Sequence, residues 1–178
     1  MSLEMIDLAG IGPDEAVLDV GGGASPLADA LLARGFDDVA VLDLSEVALL
    51  AAGAGLGPDG ARVDWIRADV LDWTPGRTYG LWHDRAVFHF LVDVQSRERY
   101  VATARSALRV GGHLVIGTFA EDGPTTCSGL PVARYDVQGL ATALGPEFAI
   151  VGSRRDEHRT PDGRVQAFTW VTLQRQGP

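Results

Sequence analysis

The densest group of reactive side chains is the run Trp82-His83-Asp84-Arg85-Ala86-Val87-Phe88-His89-Phe90. A histidine, a carboxylate and a guanidinium in succession can move a proton and pair with an anionic ligand. The bland alternatives are a structural Asp84–Arg85 ion pair and, for His89 among apolar neighbours, a satisfied core histidine. Three further places carry chemistry. Gly21-Gly22-Gly23 lets a backbone turn sharply and approach a ligand with no Cβ in the way. Asp43 stands twenty residues past Gly23, where a carboxylate can accept hydrogen bonds from both hydroxyls of a ribose. Asp69, beside Val70 and Leu71, is an acceptor with apolar neighbours that suits the amine and face of an adenine. Each has a plain reading too: a tight turn for the glycines, a solvated carboxylate or cap for Asp43, a turn residue for Asp69.

These residues share one feature, which is that each follows a predicted strand. Apolar runs at 16–20, 38–44, 62–68, 79–84 and 113–118 read as strands. Helical spacing marks 25–34 (Leu27, Ala28, Leu31, Leu32), a segment capped by Ser45 and running to about Ala52, 93–108 and 138–144. Two more strands, 148–153 and 166–173, flank the turn signal Thr160-Pro161-Asp162-Gly163. Strands alternating with helices predict a doubly wound, Rossmann-like α/β fold. The expected sheet is seven-stranded and mostly parallel, with an antiparallel C-terminal hairpin at one edge. In open sheets of this kind ligands bind beyond the carboxyl ends of the strands.

Composition narrows the classes. At 178 residues the chain fits one domain, 1–178, large enough for a real core, and 46% hydrophobic against 22% charged residues argues against disorder. No apolar run approaches the roughly 20 residues that cross a bilayer, and Met1 to Gly10 carries Glu4 and Asp7 with no basic region, unlike a signal peptide. A cytoplasmic protein without membrane attachment is expected. A net charge of −9 disfavours a nucleic-acid backbone as partner. All 15 basic residues are arginine, which excludes lysine-based Schiff-base and P-loop chemistry. The single cysteine, Cys127, excludes an internal disulfide and a multi-cysteine zinc site. His83 and His89 are six apart, not a helical ligand spacing, so no metal is expected.

The order and spacing of VLDVGGGAS, VAVLDLSE, ADVLDW, WHDRAVFHFL and LRVGGHLVIGTF resemble a class I S-adenosylmethionine-dependent methyltransferase over nearly the whole chain. The stretch 81–90 is similar to that of thiopurine-type S-methyltransferases, and GPTTCSGLPVARY resembles a bacterial group of small methyltransferases of varied acceptor. The resemblance implies S-adenosyl-L-methionine as cofactor, held by Asp19, Gly21, Gly22, Gly23, Asp43, Leu44, Asp69, Val70 and His83. It implies that Asp84 and Arg85 lie between cofactor and acceptor, with Arg85 touching the acceptor; His89 joins them as a candidate catalytic residue, and Phe88, Cys127 and Tyr135 are expected at the small-molecule acceptor. Members of the family usually carry an aromatic-rich lid before the first strand; here about sixteen residues precede it, so the lid is expected to be absent.

Methyl transfer from a sulfonium is an in-line displacement in which the donor is already activated, so positioning and exclusion of water dominate. A thiol, with a pKa of about 8.5, is partly ionised and Arg85 would stabilise its anion. An amine or hydroxyl would need Asp84 or His89 as base. Sulfur acceptors are therefore slightly favoured. Cys127 reads either as an inert buried thiol or as part of a loop, 121–135, over the acceptor. Protein lysine methylation and a non-catalytic nucleoside-binding domain remain alternatives. A nicotinamide oxidoreductase is disfavoured because Pro26 replaces the third glycine of the dinucleotide fingerprint.

Overall fold

The computed structural model describes residues 1–160 and 163–177. Seven strands form one sheet in the order β3-β2-β1-β4-β5-β9-β8. They are β1 (Val17–Val20), β2 (Val39–Asp43), β3 (Val63–Arg67), β4 (Tyr79–Arg85), β5 (Leu108–Phe119), β8 (Phe148–Arg159) and β9 (Val165–Arg175). The first five run parallel. β9 inserts antiparallel beside β5, and β8 closes the edge antiparallel to β9, as the terminal hairpin requires. A two-stranded hairpin, β6 (Thr126–Cys127) with β7 (Leu130–Pro131), stands apart from the sheet. The residues Pro161 and Asp162 of the predicted turn lie outside the described residues.

Both faces of the sheet are covered, which is why its central strands are apolar on both sides. α1 (Ser2–Leu8), α2 (Leu27–Ala33) and α3 (Glu46–Gly55) pack with Val17, Val41, Leu81, Val115 and Trp170. α4 (Val94–Ala107) and α5 (Val137–Leu144) pack on the other face with Leu18, Trp82, Leu114 and Ile116. Ser45, Asp93 and Asp136 cap α3, α4 and α5, each side chain accepting a backbone N–H of the first turn.

Most boundaries differ from those read in the sequence by a residue or two, and three differences bear on the site. β5 begins at Leu108 rather than 113, because Gly111 (φ 77°) and Gly112 lie inside the strand, and the pairing with β4 is irregular between Tyr79 and Leu81. The terminal hairpin is much longer than predicted, reaching Arg159 and beginning again at Val165. β4 continues one residue further, through Arg85. Side chains alternate along a strand, so this last residue decides the architecture of the site. His83 and Arg85 share the face of α1 to α3, and Asp84 faces α4.

Candidate active site

The carboxyl ends of β1 and β2 meet in the glycine loop. Gly21 is left-handed (φ 70°), and a Cβ on it would lie 2.2 Å from Val87 Cγ2, so the loop needs glycine both for its turn and for its close packing. A Cβ on Gly22 would strike Asp19 Oδ2, and one on Gly23 would strike Asp43 Oδ2. The loop thus lies directly on two carboxylates. Asp43 is fixed by two backbone donors: Gly23 N–H donates to Oδ2 at 3.0 Å and Ser45 N–H to Oδ1 at 2.8 Å. Each oxygen keeps a lone pair. Leu44, next in sequence, is 69% exposed, a large apolar side chain left beside a fixed acceptor. At the end of β3, Asp69 Oδ1 accepts Leu71 N–H at 2.9 Å in a local turn, so the structural role foreseen for it is real, and Val70 is buried beside it.

Asp19 and His83 are register partners on β1 and β4, and both are buried. His83 Nδ1 lies 2.7 Å from Asp19 Oδ1, which places the hydrogen on Nδ1 because a carboxylate accepts. Asp19 Oδ2 and His83 Nε2 are buried without a partner among the described residues. A buried orphan oxygen under the glycine loop fits a site built for a polar, donor-bearing ligand. Asp19, the glycines, Asp43 and Leu44 therefore fit the amino, ribose and adenine parts of S-adenosylmethionine.

Beyond β4 the chain opens onto a cavity of about 550 Å³. Met1, Ser2 and Leu3 of the N-terminal segment border it, as do Ser25, Pro26 and Leu27 at the start of α2. Arg85 and Ala86 line it from β4, and Cys127 from the β6–β7 hairpin. Cys127 flanks a two-residue turn of Ser128 (φ 50°) and Gly129 (φ 81°), the left-handed pair that a tight hairpin demands. Asp156, His158, Gln166, Phe168 and Trp170 complete it from the terminal hairpin. Asp43, Leu44, Asp69 and Val70 are not among its walls.

Arg85 and Cys127 are thus brought together as expected; the other proposed acceptor and catalytic residues are placed elsewhere. Asp84 is wholly buried. Val87 N–H donates to its Oδ1 at 2.8 Å and Phe88 N–H to its Oδ2 at 3.0 Å, and the Tyr100 hydroxyl also donates to Oδ2. Trp82 Nε1–H in turn donates to the Tyr100 oxygen at 2.9 Å. Burial pushes the Asp84 carboxyl up to about 6, with the hydrogen bonds opposing the rise. Asp84 faces away from the cavity and ties down the turn after β4. That turn holds Ala86 in a left-handed conformation (φ 69°) and seats Val87 on Gly21. Phe88 and Tyr135 pack on each other at 5.7 Å between ring centres, on the α4 side, outside the cavity. His89 is wholly buried against Phe90 and Phe119, with both ring nitrogens unpartnered among the described residues and its pKa pushed down to about 4 by desolvation. Its backbone carbonyl accepts Ala133 N–H at 2.8 Å and so anchors the loop that carries Cys127.

The hairpin wall escaped the sequence reading, which looked only after parallel strands. Its signal was present as two-residue spacing: Asp156 and His158, then Gln166, Phe168 and Trp170, place polar and aromatic groups on one face.

The family model described as a methyltransferase domain matches residues 17–112, more than half of the chain. No curated protein matches it. Among solved structures, the N-methyltransferase NodS from Bradyrhizobium japonicum WM9 is similar with a TM-score of 0.78 and 17% identity, over 99% of this chain and 94% of that one. The 1,6-didemethyltoxoflavin-N1-methyltransferase of Burkholderia thailandensis, crystallised with 1,6-didemethyltoxoflavin and S-adenosylhomocysteine, gives 0.75 and 21% over 99% and 80%. An S-adenosylmethionine-dependent methyltransferase from Mesorhizobium loti gives 0.73 and 22% over 97% and 96%. These identities speak for the fold, while the family match speaks for the chain itself: it belongs to the methyltransferase domain family, on the fold of S-adenosylmethionine-dependent enzymes.

Proposed function

We propose that this chain, as one domain, transfers a methyl group from S-adenosylmethionine to a small-molecule nucleophile bound in the cavity beside Arg85, with sulfur acceptors favoured. The observation that carries the reading is the adjacency of two sites. The glycine loop rests on the fixed carboxylates Asp19 and Asp43, and the turn packed on Gly21 through Val87 is the same turn that carries Arg85 to the cavity wall. When bound, the cofactor supplies a methyl group already activated on a sulfonium.

The rest falls to the chain. Asp43 holds the ribose and Leu44 covers the base. Asp19, steadied by His83, receives the amino group of the methionine part. Arg85 pairs with the acceptor's anionic or partly anionic atom. Met1 to Leu3 and the Cys127 hairpin narrow the opening and exclude water, which strengthens that pairing. Asp84 and His89 do not line the cavity, so an acceptor that arrives as an anion is served best. A thiolate meets that condition near neutral pH with no base. The resemblance of the stretch 81–90 to thiopurine-type enzymes supports the same contact for Arg85.

The test is transfer of labelled methyl from S-adenosylmethionine to a panel of thiols, phenols and amines. Label should reach thiols fastest and fall sharply in Arg85→Ala. A best substrate that is a neutral amine, with Arg85→Ala indifferent, would overturn the assignment of acceptor and of Arg85.

A further inference from the structure

We propose that the distal end of the β8–β9 hairpin is the wall that selects the acceptor. With Arg85, it fits a flat aromatic molecule bearing an N–H donor at one edge and an anionic group at the other. This rests on the reading of the cavity as the acceptor site and names what that site takes.

The first observation is an aromatic floor. Trp170 pairs with Gly117 across β5 and β9. A Cβ on Gly117 would lie 2.7 Å from the indole, so only glycine lets that ring lie across the strand. Phe168 follows at 6.3 Å from Trp170, with ring planes inclined by 31°, and Phe119 meets Phe168 edge-on at 4.9 Å. All three rings line the cavity. Trp170 is 2% exposed, with its indole stacked on His83 at 6.0 Å and its Nε1 buried without an acceptor among the described residues, so the rings give the cavity an apolar wall and no open donor.

The second observation is charge. Among the described residues, ion pairs with carboxylates engage arginines 34, 62, 67, 77, 99, 105, 109 and 155. Arg85 has no such partner among the described residues and lines the cavity. Asp156, half-buried, and Asp29, exposed at the start of α2, line it too; neither has an ion-pair partner among the described residues, and Asp156 is the one set beside the rings. Asp156 stands beside Phe168 in the hairpin register, and His158 beside Gln166, so the polar edge of the floor belongs to the hairpin. An unpaired cation and an unpaired carboxylate facing one apolar-floored cavity are complementary to an amphoteric ring. The ring lies against the apolar wall that Phe119, Phe168 and Trp170 border, its anionic edge meets the Arg85 guanidinium, and its N–H edge donates to Asp156.

The experiment titrates the full chain, with and without saturating S-adenosylhomocysteine, with four probes: 4-aminobenzoate, benzoate, aniline and trans-4-hydroxycyclohexanecarboxylate, a saturated anion whose donor is neutral like that of the aromatic amine. We expect 4-aminobenzoate to bind about tenfold more tightly than each of the others, each of which lacks one feature. Asp156→Asn should erase its advantage over benzoate, and Arg85→Gln its advantage over aniline. Equal binding of the saturated analogue, or an advantage over benzoate that survives in Asp156→Asn, would overturn the proposal. The two readings fail separately. Binding of S-adenosylhomocysteine without the ranking sinks the cavity proposal alone. The ranking without S-adenosylhomocysteine binding supports the cavity's preference and sinks the methyltransferase reading.

Discussion

Replacing Asp84 by asparagine tests whether this residue is an anchor held in a costly ionisation state rather than a base. Its carboxyl is wholly buried and its pKa is raised from 3.8 to about 6. The rise corresponds to about 3 kcal/mol at the ordinary conversion of roughly 1.4 kcal/mol per factor of ten. The sign follows from proton counting. Between about pH 4 and pH 6 the folded chain holds a proton that the unfolded chain has released. Stability is therefore greatest below about pH 4 and falls as pH rises through about 6. His89 runs the other way: pushed from 6.5 down to about 4, it costs stability as pH falls through that window. The two nearly cancel in a raw profile, so the readout is the difference between wild type and Asp84→Asn, in which His89 drops out. Urea unfolding at several pH values should show wild type losing about 3 kcal/mol relative to the variant between about pH 4 and pH 7. The amide's own loss of an accepted hydrogen bond shifts the curve without bending it. Parallel curves, or wild type gaining on the variant with rising pH, would refute the reasoning.

Other outcomes follow from the same geometry. Asp43→Ala removes the acceptor that holds Gly23 and Ser45 N–H, and should weaken S-adenosylhomocysteine binding by roughly 1.5–3 kcal/mol in calorimetry. Arg85→Ala should leave both that affinity and the stability nearly unchanged, within about 0.5 kcal/mol, because Arg85 is exposed and unpaired; its loss should appear in turnover. Gly117→Val must displace the Trp170 indole and should abolish aromatic-probe binding while the emission of Trp170 shifts. Tyr100→Phe strands the Trp82 N–H and strips Asp84 of a donor, and should cost about 1–3 kcal/mol in urea unfolding.

Much of this was legible in the sequence, because the parallel half of the sheet follows local rules. The first apolar run ends at Val20 as β1 does, the second runs one residue past the end of β2 at Asp43, and Asp43, singled out for its distance from Gly23, accepts that residue's N–H. The β4 end was misread as one cluster because the strand was ended at Asp84. Once Arg85 is counted in the strand, alternation alone separates Asp84 from His83 and Arg85. His89, Phe88 and Tyr135 depended on how a loop folds back over β4 and β5, which no local pattern reports. The hairpin wall was missed for a different reason. Its pairing is long-range and antiparallel, and the rule for parallel strand ends does not look there.

Calorimetric titration of the chain with S-adenosylmethionine, S-adenosylhomocysteine and NADH in parallel is the most direct test of the central claim, that the glycine loop over Asp19 and Asp43 is a sulfonium-nucleoside site. Binding of the first two with no heat from NADH is the predicted result. Binding of NADH, or no binding of all three, would contradict it.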